Sequence, residues 1–135
     1  MPLIRILSYA GLIPFVGLAM ASHLPNYMTS SETHWLFMLY SCLILGFMSG
    51  VLWPVLFTTK SPQYLALIAV SFPVISFLSL ALLPHMAVLI QAVLFLALRL
   101  VEWLCGIDKR YPKGYPLLRW KLTAIVCLTH LVVLI

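Results

Sequence analysis

The segment from Trp35 to Phe57 limits the fold more than any other part of the chain, because it is apolar and uncharged throughout. An α-helix rises about 1.5 Å per residue, so a segment of this length can cross a hydrocarbon core of about 30 Å. Small residues recur along it at helical spacing, and small faces allow neighbouring backbones to approach closely in lipid. A tryptophan near its end suits the membrane interface. The predicted helix-packing residues are Cys42, Gly46, Ser49, Gly50 and Trp53.

The remainder of the chain has the same character. Of its 135 residues, 64% are hydrophobic and only 8% are charged, whereas soluble proteins carry about 25% charged residues. A soluble domain of this size could not bury so much apolar surface. We therefore predict an all-α integral membrane protein, a single domain (residues 1–135) forming a five-transmembrane-helix bundle. The predicted spans cover about residues 3–24, 35–57, 62–83, 85–105 and 117–135.

The first predicted span also resembles a secretory signal peptide. It combines a basic Arg5, an apolar run and the small-x-small pattern of Ala19-Met20-Ala21. We interpret it as a retained transmembrane helix. Pro14 lies near its middle and is expected to kink it, which requires neighbours that satisfy the freed carbonyl group.

The basic residues predict the orientation. Five spans place the termini on opposite sides, and in this topology every basic residue falls on the side of the N-terminus, which the positive-inside rule assigns to the cytoplasm. We predict the N-terminus inside and the C-terminus outside, in a bacterial inner (plasma) membrane; the mitochondrial inner membrane is the alternative. The basic residues are Arg5, Lys60, Arg99, Lys109, Arg110, Lys113, Arg119 and Lys121.

A basic loop between the fourth and fifth spans accounts for much of the net charge of +5. We assign to this predicted cytoplasmic loop the residues Lys109, Arg110, Lys113, Arg119 and Lys121. No recognisable nucleic-acid-binding motif surrounds them, so we expect no nucleic-acid partner. We expect them to set the topology and contact anionic lipid headgroups, with docking of another membrane subunit as the alternative.

Arg99 and Glu102 form the most informative polar pair. They are spaced to share one helix face, and ionisable residues within a span are functional candidates by default. Gln91 lies roughly on the same stripe and could extend a polar track into the bundle. The alternative is a structural ion pair with a snorkelling arginine at the interface.

The histidines raise the question of a cofactor. His23, His34, His85 and His130 are all expected toward the outer side, where imidazoles from facing helices could bind haem, copper or zinc. No two of them have the spacing of neighbours on one helix, and histidine also tolerates a wet interface. We predict no cofactor and keep metal or haem binding as an alternative; bound lipids are expected. The cysteines lack CxxC spacing, so we interpret them as packing residues.

Four segments resemble a known family: Tyr9 to Val16, Tyr40 to Trp53, Ser71 to Pro73, and Asp108 to Thr123. They are similar to motifs of small bacterial inner-membrane proteins of unknown function, to which the mitochondrial transmembrane protein 69 family is related. The resemblance implies a polytopic inner-membrane protein and no established reaction. Family members commonly carry a polar residue before the tryptophan and a glycine after it, where this chain has Leu52 and Pro54.

Two functions are consistent with these features. The first is a non-enzymatic accessory, assembly or stabilising subunit of a larger membrane complex, plausibly a respiratory one, because the loops are short and no catalytic constellation is evident. The second is a small oligomeric transporter or channel in which Arg99, Glu102 and Gln91 line a path. Haem or metal binding through the outer histidines is the third hypothesis.

Overall fold

A computed structural model describes residues 2–23, 30–50, 64–111 and 113–134, and these residues contain helices and turns without a strand. The helix of the second predicted span begins at Ser30, five residues before the predicted position, and the predicted end of that span at residue 57 lies outside the described residues. The helices are α1 (Pro2–Ala10), α2 (Ile13–Ala21), α3 (Ser30–Gly50), α4 (Tyr64–Leu82), α5 (Ala87–Leu104), a short 3-10 helix (Ile107–Arg110) and α6 (Tyr115–Leu134).

Five helical segments in the described residues are long and apolar enough to cross a membrane. The first consists of α1 and α2 together (Leu3–Ala21), and the others are α3 (from Glu32), α4, α5 and α6. Their outward surfaces remain apolar, with Leu43, Leu67 and Leu104 more than 70% exposed. Such surfaces suit lipid rather than water. For the described residues, the predictions of an all-helical fold and of five helices long and apolar enough to cross a membrane are confirmed.

The first span is interrupted near its middle instead of being merely kinked. A turn at Gly11 and Leu12 separates α1 from α2, and Pro14 lies in the first turn of α2. Proline cannot donate a backbone hydrogen bond, so carbonyl groups in the preceding turn need other partners. The Tyr40 hydroxyl of α3 donates to the Gly11 carbonyl at 2.7 Å. A neighbouring helix thus supplies a hydrogen bond at the break.

The helix α3 lies against all the other spans. It packs on α2, α4 and α5, and its Ser41 side chain reaches His130 of α6. Further contacts join α4 to α5, α5 to the 3-10 helix and to α6, and α6 back to α1 and α2. Aromatic rings fill the centre, where Phe15 meets Phe37 and Phe95 edge to face.

The predicted packing residues of α3 face different surroundings. The sulfur of Cys42 accepts a hydrogen bond from Gln91 of α5. A Cβ placed on Gly46 would lie 3.9 Å from the Pro73 Cβ of α4, whereas one on Gly50 would meet no atom of the described residues within 4 Å. The Ser49 hydroxyl is buried and donates to the Gly46 carbonyl at 3.1 Å. Trp53 lies outside the described residues.

Candidate functional site

The last two turns of α5 carry an ion pair inside the protein. The Arg99 and Glu102 side chains are 0% and 1% exposed, and Arg99 Nη1 lies 2.9 Å from Glu102 Oε2. Their three-residue spacing places both on the face of α5 that turns toward α6. The polar pair that was predicted from the sequence is therefore buried.

A sharp turn after α5 brings a second carboxylate to Arg99. Gly106 has a φ of +74°, a left-handed conformation that glycine adopts without steric cost, and the chain then enters the 3-10 helix. This path returns Asp108 to α5, where Arg99 donates from Nη1 to Oδ1 at 2.7 Å and from Nη2 to Oδ2 at 2.6 Å. Two parallel hydrogen bonds of this kind fix both the distance and the orientation of the two groups.

A second arginine completes the arrangement from α6. Arg119 donates to Glu102 from Nε at 3.2 Å and from Nη2 at 2.5 Å, and its side chain is 5% exposed. Arg99, Glu102, Asp108 and Arg119, hereafter the ionic cluster, contain two positive and two negative groups. Their formal charges cancel, which lowers the cost of burying them.

The structure corrects the assignment of Arg119 to the predicted cytoplasmic loop. Arg119 lies within α6 and is buried because Glu102 of the neighbouring helix accepts both of its hydrogen bonds. Lys121 also lies in α6 but is exposed. Lys109 and Lys113 are exposed in the connection between α5 and α6, and Arg110 ends the 3-10 helix.

Aromatic residues enclose the ionic cluster. The Arg99 guanidinium lies over the Trp120 ring, 4.6 Å from its centroid, within the range of a cation–π interaction. Tyr111 and Tyr115 pack edge to face with centroids 4.8 Å apart. Burial, assisted by the negative charge of Glu102, raises the pKa of the Tyr111 phenol. Arg99 Nε is buried without a hydrogen-bond partner among the described groups.

Gln91 belongs to a separate polar group. Its Nε2 donates to Cys42 of α3 and to the Ser76 hydroxyl of α4. Buried Leu94 and Leu98 occupy α5 between Gln91 and the ionic cluster. The hydrogen bonds of Gln91 therefore join α5 to α3 and α4, while those of Arg99 and Glu102 join it to the following segment and α6.

His130 lies in the aromatic centre of the bundle and is fully buried. Its Nδ1 lies 2.7 Å from the Val126 carbonyl, and its Nε2 lies 2.7 Å from the Ser41 hydroxyl. A carbonyl only accepts, so Nδ1 carries the proton, and the Nε2 of a neutral ring then accepts from Ser41. This geometry joins α3 to α6 through one neutral imidazole.

The other three histidines, His23, His34 and His85, are exposed. His23 Nε2 donates to the Val132 carbonyl at 2.7 Å, which places the end of α2 beside the end of α6. Within the described ranges, no three His, Cys, Asp or Glu side chains form a group that could hold a metal ion.

Sequence reasoning missed the partners that complete these polar groups. Composition offered a signal for Asp108, because buried arginines need carboxylates and the whole chain has only three acidic residues. No comparable signal marks Ser41, Ser76 or Tyr40, because serine and tyrosine are also common where no interhelical bond forms.

The chain matches the family described as protein of unknown function (DUF3429) over residues 1–135. No curated protein and no solved structure is similar enough to count as a match.

Proposed function

The chain belongs to the family of proteins of unknown function DUF3429, and we propose that it is a multi-pass membrane protein without catalytic activity of its own. In this proposal it serves as an accessory, assembly or stabilising subunit of a larger membrane complex. The resemblance to small bacterial inner-membrane proteins favours a bacterial inner membrane, and we propose a respiratory complex of that membrane as the partner.

The ionic cluster is the observation that carries this proposal. In the transporter alternative a solute must reach Arg99 and Glu102, but these side chains are at most 1% exposed and are engaged with each other, Asp108 and Arg119. Their contacts join the end of α5, the 3-10 helix and α6 into one unit. This use of buried charge supports a structural role.

The same unit presents a basic surface. Lys109 and Lys113 are exposed beside the ionic cluster, and Arg5 and Lys121 are exposed at the same end of the bundle. These four residues define what we call the basic end. Ile4 of α1 and Tyr115 of α6 line one cavity, and His23 contacts Val132 at the opposite end of the bundle. The N-terminal ends of α1 and α6 therefore lie at the same end of the bundle. In the proposed orientation the basic end faces the cytoplasm and the C-terminus lies outside.

A rigid basic surface beside the membrane suits a partner subunit with an acidic face or the anionic headgroups of lipids. The test is purification of the tagged chain in a mild detergent from its own membrane, followed by measurement of subunit stoichiometry. We expect partner subunits in fixed ratio. The double variant Lys109→Glu/Lys113→Glu should lose them while keeping the melting temperature of the wild type.

Arg5→Glu/Lys121→Glu is the matched control, because it reverses two exposed charges at the same end of the bundle but outside the connection between α5 and α6. It should retain more partner than Lys109→Glu/Lys113→Glu. Purification of the wild type without any stoichiometric protein would contradict the accessory role. An absorption spectrum of the same sample tests haem, and solute flux in vesicles tests the transporter alternative.

A further inference from the structure

A cavity of about 380 Å³ lies between the first span, α3 and α6. Its volume falls within the range of roughly 300–1,000 Å³ that small-molecule sites occupy. Tyr115 and Arg119 line it toward the basic end, and Phe15, Phe95 and Val126 line it near the centre of the bundle. The cavity is therefore polar at one end and apolar along the rest.

The length of the cavity corresponds to one leaflet of a bilayer. Along α6 it extends from Tyr115 to Val126, which is roughly 16 Å at about 1.5 Å per residue. Half of a hydrocarbon core of about 30 Å is nearly the same distance. A straight apolar chain entering from the basic end would reach the aromatic centre near the bilayer midplane.

The charge at the polar end favours an anion. Glu102 accepts hydrogen bonds from Nε and Nη2 of Arg119. The third guanidinium nitrogen, Nη1, does not take part in this ion pair. Glu102 and Asp108 are both engaged with arginines, whereas the lysines and Arg5 of the basic end are exposed. Among the described residues the only other carboxylate is Glu32, in the first turn of α3, away from this end. Negative headgroups therefore meet an excess of positive charge.

We propose that this cavity binds one acyl chain of an anionic phospholipid from the leaflet at the basic end, with the phosphate beside Arg119 and Tyr115. The proposal rests on the membrane placement in the proposed function but on no partner subunit. The bound lipid fills the space between α1 and α6. It therefore holds the first span against the bundle.

The test uses the full chain in detergent, with phosphatidylglycerol as the probe and phosphatidylcholine of the same chain length as the neutral control. Native mass spectrometry counts the retained lipid, and the melting temperature is measured with and without it. Wild-type protein should retain one phosphatidylglycerol and melt several degrees higher with it. Leu7→Trp, which places an indole at the cavity wall, should weaken binding about tenfold, equivalent to ~1.4 kcal/mol.

Ile6→Trp is the matched control, since Ile6 is 64% exposed against 60% for Leu7 but does not line the cavity. It should bind as the wild type does. If Leu7→Trp does not fold, Ser8→Phe repeats the test, with Ser71→Phe on α4 as its control; both serines are half-buried and bond to their own helix. Equal retention of the two phospholipids, or unchanged binding in the cavity variants, would overturn the proposal. Loss of partner subunits has no bearing on this assay.

Discussion

Glu102 binds two arginines, and this arrangement determines how single substitutions act. Its Oε2 accepts from Arg99 and Arg119, and its Oε1 accepts from Arg119 alone. Arg99 has a second carboxylate in Asp108, which is 17% exposed, but Arg119 has no second acidic partner in the described residues. Loss of Glu102 therefore leaves a buried cation unpaired, while loss of Arg99 leaves only the partly exposed Asp108.

We predict that Glu102→Leu destabilises the protein more than Arg99→Leu does. An unpaired buried charge costs on the order of 3–5 kcal/mol, and Arg119 is the group left in that state. The double variant Glu102→Leu/Arg119→Leu should recover much of the loss, because it preserves the bidentate pair of Arg99 and Asp108. The measurement is a double-mutant cycle of unfolding free energies in a fixed detergent. Small and additive losses would show that the side chains act independently.

A second residue-scale prediction concerns Ser41. Ser41→Ala removes the donor to the buried His130 Nε2, and an unsatisfied buried acceptor costs about 1–3 kcal/mol. Ser79→Ala is the control, because its buried hydroxyl donates only to the Ser76 carbonyl of its own helix. Thermal unfolding should show a clear drop for Ser41→Ala and little change for Ser79→Ala. Equal melting temperatures would mean that the bond between α3 and α6 adds no stability.

At the scale of helices, hydropathy predicted the five long apolar helices of the described residues, because a helix must be long and apolar to cross a membrane. The pairing of Arg99 with Glu102 could also be predicted, since three-residue spacing gives a shared face. The contacts of Asp108 and Arg119 that complete the ionic cluster could not be predicted. They depend on the left-handed turn at Gly106 and on packing of α5 against α6, which brings Arg119 to Glu102 across 17 residues.

The small residues of α3 illustrate the same limit. The sequence pattern predicts both Gly46 and Gly50 as packing positions. Of these two positions, only Gly46 would bring an added Cβ into contact with a neighbouring helix of the described residues, at Pro73 of α4. We predict that Gly46→Leu lowers the yield of folded protein because its extra carbons overlap α4. Gly50→Leu should be tolerated. The measurement is the yield of folded protein for each variant by size-exclusion chromatography. A lower yield for Gly50→Leu than for Gly46→Leu would contradict close packing at Gly46.

For the whole molecule, the proposed orientation makes a direct prediction. The C-terminus should lie outside, because the exposed lysines of the described residues and Arg5 share the opposite end of the bundle. A C-terminal alkaline phosphatase fusion should be active in a bacterial host, and a C-terminal fluorescent protein that matures only in the cytoplasm should be dark. Moving both reporters to the N-terminus should reverse the pattern. A fluorescent C-terminal fusion would contradict the five-span orientation.

The central claim is that buried charge in this bundle builds a structural subunit instead of lining a transport path. The most direct test reconstitutes the wild type and Glu102→Leu/Arg119→Leu in vesicles and measures ion flux, with partner retention measured on the same preparations. Our account predicts no flux above empty vesicles for either protein and stoichiometric partners for both. Flux through the wild type that the double variant abolishes, without loss of folded protein, would contradict it.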